Sequence, residues 1–268
     1  LLAPVPFGVA CLLASRARTL LLAVVITQLV SWLLIHAWIL DVTLPGYLAL
    51  AVYLSTLGGL SALFVRALTR GRTGLSLGIA LPLVLVGMDW MRGHLLFDGY
   101  PWYLWGQPLI EAGPLAALAR LGGIWLPAFI SIAAAGLAAD LVCIVSRRRS
   151  GGGQRPGIRW SGAFVVLSGI IAMLLVGRPD ATSGRTCSIL SVQTNIPTSN
   201  KLAWTYEQQQ KDVRSFIEMT SEALAAARER EEDVDLVVWP ETMLPSVGVE
   251  HGDVFTVFMR AAQTHANR

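Results

Sequence analysis

Residues 161–194 read SGAFVVLSGIIAMLLV, then GRPDATSGR, then TCSILSVQT. An apolar run over 160–177 with no charged side chain stops at a polar linker, and a stretch of strand composition follows, Thr186–Thr194. The run is close to the roughly 20 helical residues that cross a bilayer core. The change of character at this point divides the chain into a transmembrane helical region over 1–179 and the N-terminal part of a water-facing domain over 180–268. Charge divides at the same place: 13 Lys+Arg against 5 Asp+Glu before residue 180, and 8 against 13 after it.

Upstream, further runs of spanning length lie at about 19–40, 45–67, 74–97 and 121–146, so the region is read as five full spans plus a partial one at 1–14. Only 15% of the 268 residues are charged and 54% are hydrophobic. The mean hydropathy is +0.56, whereas soluble domains carry about a quarter charged residues. A soluble single domain is therefore excluded. The connections alternate in charge. Arg16, Arg18, Arg66, Arg70, Arg72, Arg147, Arg148, Arg149, Arg155 and Arg159 fall in one set of loops, and no Lys or Arg falls at 41–45 or 98–119. Positive loops stay on the cytoplasmic side, so 41–45, 98–118 and everything after Gly177 are expected outside, in the periplasm of a bacterial cell. The pI near 9.0 reflects these loops and implies no nucleic-acid partner. Arg147–Arg149 beside Gly151–Gly153 reads as a cytoplasmic loop that sets topology and can touch anionic lipid. Cys11, Cys143 and Cys187 have neither disulfide nor zinc spacing; His36 and His94 lack a second ligand at helical spacing, so no metal is expected.

Downstream, Trp204–Arg230 is rich in Ala, Glu, Gln and Arg and reads as a long helix. Asp235–Trp239 (DLVVW) reads as a short buried strand, and Asp253 can cap a further helix over about 254–265. This β-α-β-α order opens a layered α/β domain, and two strands are too few to close its sheet. Leu1 is not a methionine, and Arg268 stands inside a helix-like stretch. Both ends are therefore read as truncations and the chain as a fragment. Val237-Val238-Trp239-Pro240-Glu241-Thr242 carries a strand into Pro and then a carboxylate, and active sites of open α/β sheets lie at the carboxyl ends of strands. Glu241 there is either a partly desolvated general base or a solvated side chain.

The segment LVVWPET, preceded by SVQTNIPTSNKLAW (Ser191–Trp204), resembles the opening of the nitrilase-like domain of apolipoprotein N-acyltransferases. Met88-Asp89-Trp90-Met91-Arg92-Gly93 followed by Phe97-Asp98-Gly99-Tyr100-Pro101-Trp102 is similar to that family's outer membrane segment. The resemblance covers nearly all of this chain and about half of a full-length member. It implies an α-β-β-α nitrilase-like fold after the membrane bundle. It also implies a cysteine thiol, activated by a glutamate and assisted by a lysine, that takes an acyl chain from a phospholipid as a thioester. The thioester then passes the chain to the α-amino group of a diacylglyceryl-cysteine on a lipoprotein. Glu241 maps onto the glutamate. Lys201, Lys211 and Cys187 precede it and occupy neither of the other two positions, so residues 1–268 are expected to be inactive alone.

The same resemblance makes Trp204 a candidate substrate contact; its alternative is packing at a helix start. Tyr100, Trp102, Tyr103 and Trp105 crowd the outer loop and form either a wall where lipid enters or an aromatic belt at headgroup level. Arg92 either pairs with Asp89 at i, i+3 or holds a phospholipid headgroup. The expected partners are a phospholipid acyl donor, a diacylglyceryl apolipoprotein acceptor and the bilayer; a monomer is expected, with no cofactor. Two rivals carry the same residues: a membrane-tethered carbon-nitrogen hydrolase and a non-catalytic, degenerate membrane protein.

Overall fold

The computed structural model describes residues 3–71, 74–97, 99–149, 161–176, 186–193, 195 and 205–240. They fall in two compact units, Leu1–Asp180 and Ala181–Arg268. The first is helical: α1 (Pro4–Leu13), α2 (Ala17–Ile35), α3 (Leu44–Arg70), α4 (Leu77–His94), short α5 (Pro114–Ala117) and α6 (Ala119–Gly122), α7 (Trp125–Arg149) and α8 (Ser161–Val176).

Three of the described helices are long and apolar enough to cross a membrane: Ala17–Ile35, Leu44–Arg70 and the Trp125–Ser146 part of α7. The other two runs expected to cross become α4, which carries Asp89, Arg92 and His94 near its end, and α8, which has 16 residues. The run expected over 19–40 stops as an α-helix at Ile35, and a 3-10 turn, Ala37–Asp41, follows. On α2, Leu22, Ile26, Val30 and Leu34 recur every four residues and are all at least half exposed. A stripe of that kind is a surface that lipid, rather than water, covers.

The arginine-bearing ends of these helices are structural as well as charged. Arg66 donates to the carbonyls of Ala14 and Ser15, and Arg70 Nε donates to Leu12 O at 3.0 Å. These bonds satisfy carbonyls at and just past the end of α1, where intrahelical partners run out. The α1–α2 connection and the C-terminus of α3 therefore lie at one end of the bundle. The turn at 36–43 and the loop after α4 lie at the other.

The core, with Cys11, Val65, Leu77, Leu81, Ile132 and Ala139 fully buried, is tightest where α4, α7 and α8 meet on glycines. A Cβ on Gly136 would stand 2.3 Å from Leu77 O, and one on Gly78 would stand 2.7 Å from Gly162 Cα. Small residues let membrane helices approach to backbone contact, which supplies the dispersion energy that holds them in lipid. Ser76 and Ser161 share a hydrogen bond of 3.0 Å beside this junction, and Asp140 on α7 accepts from Gly78 N at 3.4 Å.

Among its described residues the second unit holds a β-α-β element: β1 (Ile189–Ser191), α9 (Tyr206–Glu229) and β2 (Leu236–Val238). The strands pair in parallel, Ile189 opposite Leu236, with α9 as the crossover that parallel strands require. Thr205 caps α9 by accepting from Gln208 N at 3.3 Å. Val213 and Phe216 on its buried face pack with Ile217 against Trp239, whose indole N–H donates to Thr220 at 3.0 Å. Both strands are shorter than the runs 186–194 and 235–239 suggest. The helix expected over 254–265 lies outside the described residues.

Candidate functional site

Arg92 and Asp89 share one face of the last turns of α4, and both are buried, at 5% and 7% exposure. Arg92 Nη2 donates to Asp89 Oδ1 at 2.9 Å, so the pairing expected from the i, i+3 spacing forms. The pair also organises the loop that follows. Trp105 N donates to Asp89 Oδ2 at 2.8 Å, Arg92 Nη2 donates to Tyr103 O at 3.3 Å, and Tyr100 N donates to Arg92 O at 2.7 Å. A buried ion pair is tolerated only when further hydrogen bonds satisfy its remaining atoms, and here the loop backbone supplies them.

The local sequence permits this reversal. Gly99 has φ +95°, and a Cβ there would stand 2.3 Å from Gly93 O, so the chain can fold back over the end of α4 only with glycine at this position. Tyr103 is held at φ +56°, a left-handed conformation that costs a non-glycine residue roughly 1 kcal/mol. It directs its carbonyl to Arg92 and allows Trp105 N to reach Asp89. Gln107 closes the loop on itself, accepting from Leu104 N and donating to Pro101 O, each at 3.0 Å.

A cavity of about 670 Å³ lies beneath this loop, within the range for ligand pockets. α1 contributes Phe7, α2 Gln28 and Trp32, α3 Gly58 and Ser61, and α4 Met88, Asp89 and Arg92; Tyr103, Trp105 and Gln107 form the roof. Its walls are largely carbon, and the ion pair sits at the roofed end. Gln28 accepts from the Trp32 indole at 3.0 Å. A Cβ on Gly58 would stand 2.7 Å from the Gln28 amide carbon, so the glycine lets the Gln28 side chain lie against α3 in this position. Among the described residues both hydrogen bonds of the Arg92 side chain come from Nη2. That leaves Nε and Nη1 for an acceptor in the cavity.

The aromatic residues divide between two jobs. Trp102, half exposed, packs on Trp38 with ring centroids 5.9 Å apart, and Trp90 stacks on His94 at 5.5 Å; these rings form the outward belt. Tyr103 and Trp105 roof the cavity instead. Tyr100 faces the Arg92 guanidinium at 5.7 Å from ring centroid to Cζ. Burial, reinforced by Tyr103 and opposed by Arg92, pushes its phenol up to about 12, so it remains a hydrogen-bond donor. Its hydroxyl contacts His36 Nε2 at 2.5 Å. Glu241 and Trp204 lie outside the described residues; β2 ends three residues before Glu241 and Pro240 immediately precedes it. Sequence reasoning did not assign His36, Trp32, Gln28 or Gln107 to this site. A histidine inside an apolar run of spanning length was the available signal for the first.

Residues 1–137 match the family model described as the apolipoprotein N-acyltransferase N-terminal domain. The apolipoprotein N-acyltransferase of Caulobacter vibrioides is 30% identical over 81% of this chain and 38% of its own length. Those of Pseudomonas syringae pv. tomato and Azotobacter vinelandii are 30% and 32% identical, each over 68% of this chain and 32% of the relative. The aligned part of the chain spans about a third of the length of these curated relatives. With the Asp89–Arg92 loop inside the matched segment, the chain belongs to the apolipoprotein N-acyltransferase family.

Proposed function

We propose that this chain serves lipoprotein maturation, as the membrane region and the start of the catalytic domain of an enzyme that moves an acyl chain from a phospholipid to the α-amino group of a diacylglyceryl apolipoprotein. The observation that carries the reading is the cavity of about 670 Å³ with carbon walls and a buried guanidinium at its roofed end. Its wall suits an acyl chain, and the free edge of Arg92 suits a phosphate or ester oxygen. The whole α4-to-loop assembly that builds it lies within the matched residues.

In this reading α4 and α8 cross the bilayer beside α2, α3 and α7, giving five spans over 1–179. Residues 180–268 begin a nitrilase-like domain on the periplasmic face of the bacterial inner membrane, and the protein acts as a monomer. The loop arginines support that orientation, and the parallel β1-α9-β2 unit supports an α/β domain. Glu241, following β2 and Pro240, acts as the general base: it takes the thiol proton as sulfur attacks the donor ester and returns it to the departing lysophospholipid hydroxyl, then takes the acceptor amine proton and passes it to the thiolate released as the amide forms. Arg92 holds the donor lipid, with Trp204 as a further substrate contact, while Trp102 stands in the outward belt and Tyr100 acts on Arg92 rather than on the lipid. The thiol and the lysine that this chemistry needs do not map onto residues 1–268.

The test uses the full gene product that carries residues 1–268, in phospholipid vesicles with a diacylglyceryl lipopeptide as acceptor. Glu241→Gln is expected to abolish N-acylation while leaving phospholipid binding intact. Acylation that persists in this variant would overturn the role given to Glu241, and a wild-type protein that acylates no amine would overturn the reading itself.

A further inference from the structure

The contact between His36 and Tyr100 joins residues 64 positions apart, and neither the membrane fold nor the proposed chemistry uses it. His36 is 0% exposed at the C-terminal end of α2. Its Nδ1 lies 3.1 Å from Trp32 O. A carbonyl can only accept, so Nδ1 carries the ring proton and Nε2 is left as the acceptor for the Tyr100 hydroxyl at 2.5 Å. Burying an imidazole is costly unless its nitrogens are bonded, and here both are. A leucine would fill the same space without that cost, so the polar ring is accounted for by what it holds.

Tyr100 touches Arg92 twice: its backbone N donates to Arg92 O at 2.7 Å, and its ring faces the guanidinium. The His36 ring also meets the edge of Tyr103, with centroids 5.1 Å apart, and lies 5.2 Å from the ring of Trp32. Trp32 and Tyr103 line the cavity. His36 is therefore tied to the wall, to the roof and, through Tyr100, to the guanidinium, while standing outside the cavity lining itself.

We infer that His36 is a positioning residue: by holding Tyr100 it fixes the Arg92 guanidinium and the loop roof over the cavity, and so sets the affinity for the phospholipid donor without touching it. This rests on the acyl-transfer reading above. A hydrogen bond of this kind is worth about a tenfold change in an equilibrium. The expected result is a KM for phospholipid about tenfold higher in His36→Asn and in Tyr100→Phe, with kcat changed less than about twofold, the signature of lost ground-state binding.

His36→Gln places an amide where Nε2 stands and restores the acceptor, so its KM is expected to stay close to wild type. Amide hydrogen exchange over 100–108 is measured alongside, in the intact protein in nanodiscs of phosphatidylethanolamine and phosphatidylglycerol. Exchange should quicken in the Asn and Phe variants and remain slow in the Gln variant. An unchanged KM in folded His36→Asn, a fall in kcat alone, or a Gln variant that behaves like Asn would each overturn the inference. Should the wild type bind phospholipid yet acylate nothing, the acyl-transfer reading fails separately. The same rank order is then sought in phospholipid dissociation constants, and its absence there refutes the positioning role.

Discussion

Asp89→Asn removes one charge from a pair that is almost wholly inside the bundle and changes little else. The Asn carbonyl oxygen can still accept from Trp105 N, so the loop contact at 2.8 Å survives, while Arg92 Nη2 loses its ionised partner at 2.9 Å. With side-chain exposures of 6% and 10% for Arg92 and Asp89, solvent does little to replace the lost attraction. Leaving one member of a buried pair unmatched costs about 3 to 5 kcal/mol. Asp89→Leu should lose about 1 to 3 kcal/mol more, because it also orphans the Trp105 N–H. The double substitution Asp89→Asn with Arg92→Gln removes both charges and should recover to within about 1 kcal/mol of wild type, since a neutral replacement of similar shape is nearly balanced against a buried pair. The measurement is SDS-driven unfolding in dodecyl maltoside micelles at fixed temperature, comparing midpoints and slopes across the four proteins. A loss below about 1 kcal/mol in Asp89→Asn, or a double variant no more stable than the single, would refute the reasoning. Water in the cavity would then be solvating the guanidinium.

Gly136→Ala inserts a methyl group where Leu77 O stands 2.3 Å away, so α7 and α4 must separate. Overpacking of this kind costs about 1 to 3 kcal/mol, read as a lower thermal midpoint in detergent; Gly87→Ala, which meets nothing within 4 Å, is the control expected to leave it unchanged. The raised Tyr100 phenol has a signed consequence in alkali. Its neutral form is favoured by folding, so the stability it contributes is complete below about pH 10 and is lost as pH rises toward about 12. Tyr100→Phe should flatten that part of the stability–pH profile relative to wild type, and parallel profiles between pH 10 and 12 would count against the burial argument.

Much of the fold was legible because membrane and strand elements announce themselves locally. Apolar runs, the arginine loops and the DLVVW segment depend on neighbours within one element, and they foresaw α2, α3, α4, α7, α8, α9 and both strands within a few residues at most ends. Element ends were less legible. α2 stops at Ile35, where the ring and backbone nitrogens of His36 both reach the Trp32 carbonyl, and hydropathy takes no account of that capping. At the site, the spacing of Asp89 and Arg92 was enough to pair them, because i, i+3 on a helix is local geometry.

Sequence alone therefore determined which segments are apolar, which loops carry positive charge, that a β-α-β element follows the helices, and that Asp89 can neutralise Arg92. Only the tertiary structure decided that Trp105 N and Tyr103 O complete that ion pair, that Gly78, Gly136 and Gly162 meet in one place, that α1 to α4 leave a cavity between them, and that His36 holds Tyr100. The physical reason is range. Propensity and periodicity act over a few residues, whereas each of these contacts joins groups brought together by helix packing. Whether a buried polar atom finds its partner depends on how the bundle closes.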